Sequence, residues 1–403
     1  MNKKLKNALI CVLAFVGAAG VTGGVIALSK NVIFKNNNSL SIEKFTEDDS
    51  SGNSGEVVHA KIYGVANEIN AESALVRTDD ARNLSYNVNT AEGTISSDFD
   101  NAEIYKDIKE WTDDQNNVFV QVPKHYVKYT WDQVEGTLTT KISLEQYEGF
   151  QLYPCFVKDD GTEIDYLNIG KYSATGSSSR ATSVSGLATL VNVTMDQMRT
   201  AAKANGEGYQ QLDYWTYAML QDLFKIEFAT TNSQAIMRGC VAQSAAQVSG
   251  QCDFLGANKS GWNTETGVMA YRGIENIYGN VWQWCDGVSF SNYEAYVCTK
   301  VSSYESGKTT GDYERVSYTL ASGEGNPDAI GHDDNHPFVH LATHYNGTDY
   351  DNGGYYNDRS RFGYPCLFVG GYYAYGSLAG FWAFASGTAS NSDASIGGRV
   401  LLK

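Results

Sequence analysis

Proline is scarce in this chain: five in 403 residues, against forty glycines. Its turns are therefore written as Gly-Asn, Asn-Gly and Gly-Gly pairs, which predicts long irregular segments on a folded scaffold. Such loops are where a domain usually places its function. Positive charge is also short. Thirty Lys and Arg stand against forty-six Asp and Glu, a formal charge of −16 and a pI near 4.8. This excludes a nucleic-acid binder, which needs a basic face to neutralise phosphates. No C-x-x-C pair occurs, which argues against a zinc ribbon or a redox dithiol. A Gly-rich phosphate loop, a nucleophile elbow and an H-E-x-x-H motif are absent as well.

Seven cysteines are present: Cys11, then Cys155, Cys240, Cys252, Cys285, Cys298 and Cys366. In an exported domain the last six could close three bridges or stay as buried thiols, and the sequence leaves both open. Histidine is equally sparse. Four of the six, His332, His336, His340 and His344, recur at a spacing of four. On a helix they would share one face and suggest a metal site. Pro337 and the flanking "GEGNPDAIGHDDN" predict an irregular loop instead, which destroys that register. "DYDNGGYYND", 349–358, has the oxygen ligands and glycines of a calcium loop but lacks the Glu that closes an EF-hand. Calcium is thus the one cofactor left open.

The single long apolar run is Ala8 to Leu28, without a charge and preceded by Lys3, Lys4 and Lys6. As a helix it spans a hydrocarbon core of about 30 Å, and the lysines favour an N-terminus held in the cytoplasm. Residues 1–28 are expected to anchor the chain at the cell surface. Cleavage after the small residues Gly17-Ala18-Ala19, giving a secreted protein, is the alternative. Residues 29–57, rich in Asn, Ser, Asp and Gly, read as a flexible stalk.

Residues 58–117 mix short alternating stretches with Asn and Asp turns and predict a small β-rich domain. From Val118 the pattern sharpens. "VFVQVPKHYVKYTW" alternates as a strand, with Pro123 at an edge or bulge position. "TMDQMRTAAKANG" opens with Thr194 and Gln197 as a capping box, and Gly206 ends it. "LDYWTYAMLQDLFKIEFATTNSQ" is a second helix with Trp215, Met219, Leu220, Leu223 and Phe224 on its apolar face. Two helices among many short strands indicate an α+β fold.

"GIENIYGNVWQWCDGV", 273–288, and the closing "SIGGRVLLK" carry a resemblance. Gly279-Asn280-Val281-Trp282-Gln283-Trp284 resembles the Gly-Asn-Val-Trp-Glu-Trp signature of the formylglycine-generating enzyme and sulfatase-modifying factor family, and Gly398-Arg399 resembles its C-terminal closing motif. Within it, 118–403 look most like the variable proteins of diversity-generating retroelements. The resemblance implies a C-type-lectin-like ligand-binding domain over 118–403. Gly279, Asn280, Trp282, Trp284 and Arg399 would be its structural motif, with both tryptophans in the core. It also raises an oxidase. The enzymes of that family hold copper on a cysteine pair in the C-terminal segment, where this chain has Tyr375 and Gly380 and no cysteine beyond Cys366. A soft-metal site without its thiolates does not bind Cu(I) in that way, so no catalytic residue is expected.

"GGYYAYGSLAGFWAF", 370–384, then takes on meaning. Tyr372, Tyr373, Ala374 and Tyr375 do not alternate as a core strand should. Tyrosine offers broad contact area with two torsions to freeze, and Ser and Gly let a surface adapt, as in antibody-like loops. In the retroelement branch, mutated adenines in AAC and AAT codons never yield Lys, Glu, Gln, Met or Trp. Between residues 325 and 402 the single member of that set is Trp382. Matching the branch residue by residue implies variable, ligand-binding positions at Tyr372, Ala374, Tyr375 and Leu378. Ala383, Ala385, Gly387 and Thr388 follow, and Tyr373 is a further contact. Gly370, Gly371, Gly376, Ser377, Ala379, Gly380, Ile396, Gly397 and Arg399 would be fixed. The expected partner is a protein or glycan on another cell, phage or host surface. The alternatives are a phage-type tail adhesin of the same fold and a metal-dependent enzyme using the histidine loop.

Overall fold

Short strands punctuated by left-handed turns are what such a sequence can build, and they dominate the structure. A computed structural model describes residues 59–67, 75–345 and 360–403. All lie within one unit, 59–403. It is mostly β with a few helices. The proposed anchor, the stalk and the 349–358 calcium segment lie outside the described residues.

Three five-stranded sheets join early strands to late ones. Tyr63–Asn67 pairs antiparallel with Thr137–Ser143, Thr94–Ser97 meets Gly261–Trp262, and Lys109–Thr112 pairs with Val118–Pro123. Strands before residue 117 thus share all three of these sheets with strands after it. The segment expected as one strand, "VFVQVPKHYVKYTW", is two, Val118–Pro123 and Tyr126–Asp132, in different sheets. Pro123 lies past the last pair with Lys109–Thr112, where one flank of its strand is unpaired and a missing N–H does no harm.

An eight-stranded sheet carries the signature motif. Its strand Trp282–Ser291 pairs antiparallel with Cys366–Val369, which pairs antiparallel with Phe384–Gly387. Ile396–Gly397 lies parallel to the start of Trp282–Ser291. The sheet therefore brings the two motif regions side by side and hangs the tyrosine stretch between two of its strands.

Helix α1, Met195–Lys203, has the expected capping box. Thr194 Oγ1 accepts from Gln197 N at 3.2 Å, and Gln197 Oε1 accepts from Thr194 N at 3.0 Å. Thr194→Ala should lower stability by about 1 kcal/mol while Thr194→Ser restores it, read from urea midpoints.

Helix α2, Tyr214–Phe228, differs from expectation. All of its residues are buried, not only the apolar face. Its polar groups are buried because each has a partner. Gln221 donates to Phe381 O at 2.6 Å, Asp222 accepts from Tyr129 and Tyr153 and pairs with Lys225, and Glu227 pairs with Arg272. A helix walled on every side needs such partners, since an unpaired buried polar group is costly. A short helix, α3 (Ser233–Ile236), follows.

Candidate functional site

The tyrosine stretch leaves the strand Cys366–Val369 through Gly370 and Gly371. Both have positive φ, +94° and +81°. A Cβ at Gly371 would lie 2.6 Å from Ala379 Cβ, so the turn closes on itself only because this position is glycine. The stretch then forms a 3-10 turn, Gly376–Leu378, and returns as Phe384–Gly387.

Main-chain bonds fix this loop. Tyr373 N donates to Asn280 O at 2.9 Å, Tyr373 O accepts from Gln243 N at 2.6 Å, and Gly376 N donates to Val241 O at 2.9 Å. Side chains from outside the loop add to them. Gln234 Nε2 donates to both Gly376 O (3.0 Å) and Ala379 O (2.7 Å), Gln221 Nε2 to Phe381 O, and Phe381 N donates to Ser233 Oγ at 3.0 Å. None of these bonds uses a tyrosine side chain. Among the described residues no hydrogen bond joins the Tyr372 or Tyr373 hydroxyl to the protein.

The rings form a cluster that runs from surface to core. Tyr372 lies 5.4 Å from Tyr373 and 5.3 Å from Tyr375 between centroids. Tyr375 meets Trp282 edge-on at 5.1 Å, Trp282 meets Phe368, and Phe368 meets Trp284. Tyr372, Tyr373, Tyr375 and Leu378 are half-buried and Ala374 is exposed. Trp282 and Trp284 are buried, and Trp284 Nε1 donates to Val193 O at 2.9 Å, so both tryptophans lie beneath the face as expected.

The remaining sequence-derived positions separate. Ala383 and Ala385 are buried in the same cluster as Trp282 and Phe368, and a Cβ at Gly387 would lie 2.7 Å from Phe368. With these side chains the three form the floor of the face and not its surface. Thr388 is exposed but sits past the far end of the strand, since Val369 faces Phe384 while Cys366 faces Gly387. Five of the positions expected to be fixed are constrained by their surroundings. Gly370 and Gly371 take left-handed backbone, Ala379 and Ile396 are buried, and a Cβ at Gly397 would lie 2.4 Å from Leu190 O.

The motif residues hold the loop from below. Gly279 N donates to Gly370 O, and a Cβ there would lie 2.7 Å from Cys240 O. Asn280 has φ +61°, which asparagine tolerates better than most residues. Its carboxamide accepts from Gln247 N and donates to Thr189 Oγ1, while its carbonyl receives Tyr373 N. Arg399 is buried and donates to Gln283 Oε1 and to the carbonyls of residues 170, 171, 275 and 276. Burial lowers its guanidinium to about 10. The fastening roles of Gln221, Ser233 and Gln234 were missed in the sequence. Each is a polar side chain whose partner is a distant carbonyl or N–H, and no local pattern marks that.

The other candidate chemistry does not converge. His332 Nε2 lies 3.1 Å from Asp334, His336 Nε2 lies 3.7 Å from Glu314, and His344 Nδ1 bonds Asp328 at 2.7 Å. Among the described residues no three His, Cys, Asp or Glu are grouped to hold a metal ion. Cys155, Cys240, Cys252, Cys285, Cys298 and Cys366 are free buried thiols, not bridges. Burial pushes each of them up, Cys366 to about 11 and Cys240 to about 12, away from the reactive thiolate. Compared with known proteins, the chain matches no family model and no curated sequence.

Proposed function

We propose that this chain is a surface-displayed ligand-binding protein of C-type-lectin-like fold, a retroelement-diversified variable protein whose C-terminal aromatic loop is the binding site. One observation carries the reading. The loop is held by its main chain and by Gln221, Ser233 and Gln234, while the exposed Ala374 and the half-buried Tyr372, Tyr373 and Leu378 add no side-chain hydrogen bond to that fastening. Side chains at Tyr372, Tyr373, Ala374 and Leu378 can change while the loop keeps these bonds, and Tyr375 joins them to Trp282 beneath. Tyrosine rings supply large, stiff contact area, and the Tyr372 and Tyr373 hydroxyls supply hydrogen bonds to a partner.

Two measurements test this. Sequencing the 3′ end of the gene with its downstream flank across a cell population should find changes concentrated in the codons of Tyr372, Ala374, Tyr375 and Leu378, at adenines of a nearby near-copy. A uniform 3′ end without a near-copy removes the diversification and leaves an adhesin with one ligand. Tyr372→Ala should weaken ligand attachment by about 2 kcal/mol or more and change the unfolding midpoint little. A sharp fall in that midpoint would make the ring a core residue.

A further inference from the structure

We infer that the recognition face has a second, fixed half, formed by 185–188 and 242–248, and that the whole face docks a folded protein through a surface of low charge. This rests on the binding role proposed for the tyrosine loop. The chain holds seventy-six charged residues, yet three of its segments, 181–195, 239–252 and 366–392, contain none. Hydrogen bonds join them edge to edge. Gln243 N meets Tyr373 O, and Gln247 N meets Asn280 Oδ1, whose residue also receives Tyr373 N. Thr189 Oγ1 donates to Gln247 O, while Ser249 N donates to Leu187 O. The run from Tyr375 through Tyr373 and 243–247 to Leu187 is thus continuous and carries no charge of its own, with Arg238, Glu265 and Asp253 at its borders.

Two exposed aliphatic side chains stand on its far half, Leu187 at 44% and Val248 at 47%. Phe254, 59% exposed, marks its edge beside Asp253, whose carboxylate is taken up by Lys171, Tyr172 and Ser185. This chemistry selects the partner. A charged partner group set over the middle of this run would lose its hydration with no charge in the run to pair against. Leu187 and Val248 are aliphatic, and apolar anchors within a polar rim suit a protein surface.

The test is site-specific photocrosslinking in the full-length chain on the cells that display it. p-Benzoylphenylalanine is placed singly at Tyr375, Leu187 and Val248, and at Val134, a 91% exposed residue on the hairpin between Tyr126–Asp132 and Thr137–Ser143. The expected result is one and the same protease-sensitive product from Tyr375, Leu187 and Val248, and none from Val134. Leu187→Lys, exposed and therefore neutral to folding, should lower the Tyr375 product at least tenfold. A product from Tyr375 alone overturns the second half and leaves the tyrosine site standing. A product from Leu187 and Val248 but not Tyr375 overturns the site itself, and no product at any position overturns both. A product cleaved by glycosidases but not proteases, or one of twice the mass of the chain, replaces the protein partner with a glycan or a second copy and overturns the inference.

Discussion

Replacing Arg399 with alanine should lower the unfolding free energy by about 4 kcal/mol or more, the largest single-residue effect expected in this protein. The guanidinium reaches Gln283 Oε1 at 2.9 Å, Gly170 O at 2.7 Å and Glu275 O at 2.6 Å, with Lys171 O and Asn276 O at 3.2 and 2.9 Å. Of these acceptor residues, Gly170, Glu275 and Gln283 belong to three different sheets. Alanine strands them in a dry interior, at about 1–3 kcal/mol each before relaxation. Arg399→Lys should fall between the two, because a compact ammonium cannot serve acceptors spread across a planar fork. Denaturant midpoints followed by tryptophan fluorescence measure all three proteins. A loss under about 1 kcal/mol for alanine would mean that water replaces the arginine and that the sheets are joined by something else.

Acid should act on this fold through two buried groups of opposite sign. Burial lowers His125 to about 4, the bond to Pro123 O only partly offsetting it. Nδ1–H is used in that bond, and Nε2 is buried without a partner, so a second proton has no acceptor. The depressed value favours folding fully above the unfolded value near 6.5, and that contribution is lost between there and pH 4, about 3 kcal/mol in all. Burial raises Glu275 to about 7, against the donated N–H groups of Cys252 and Gly250. Its contribution is complete below about 4.5 and disappears as pH rises to 7, again about 3 kcal/mol. His340, also lowered by burial and then by Lys225 and His332, adds to the His125 side. Stability measured from pH 7 to pH 4 should therefore fall more steeply in Glu275→Gln and less steeply in His125→Asn than in the parent. Parallel curves for all three proteins would show that neither group is dry.

What the sequence disclosed follows from the range of each interaction. The capping box of α1 is complete within four residues, so Thr194 and Gln197 announce it. The tryptophans of the signature are large and must be covered, and Trp282 and Trp284 are. Helix α2 was read as one-faced because Gln221, Asp222, Lys225 and Glu227 look like a solvent side, and their partners lie between three and 160 residues away. That Tyr372–Tyr375 form no strand was legible in their failure to alternate, and the turns around them in Gly370 and Gly371. The burial of Ala383, Ala385 and Gly387 was not, because a small residue in a strand says nothing about which neighbour covers it. Only the pairing of Phe384–Gly387 with Cys366–Val369 decides it.

The fastening of the tyrosine loop has a thermodynamic consequence. A loop already held at Gly376, Ala379 and Phe381 by side chains from α2 and α3 has little conformational entropy left to lose when a partner arrives. Each new set of side chains at Tyr372, Ala374, Tyr375 and Leu378 would start from that frozen frame. Affinity would then depend on the contacts the new side chains make, and hardly at all on ordering the segment that presents them.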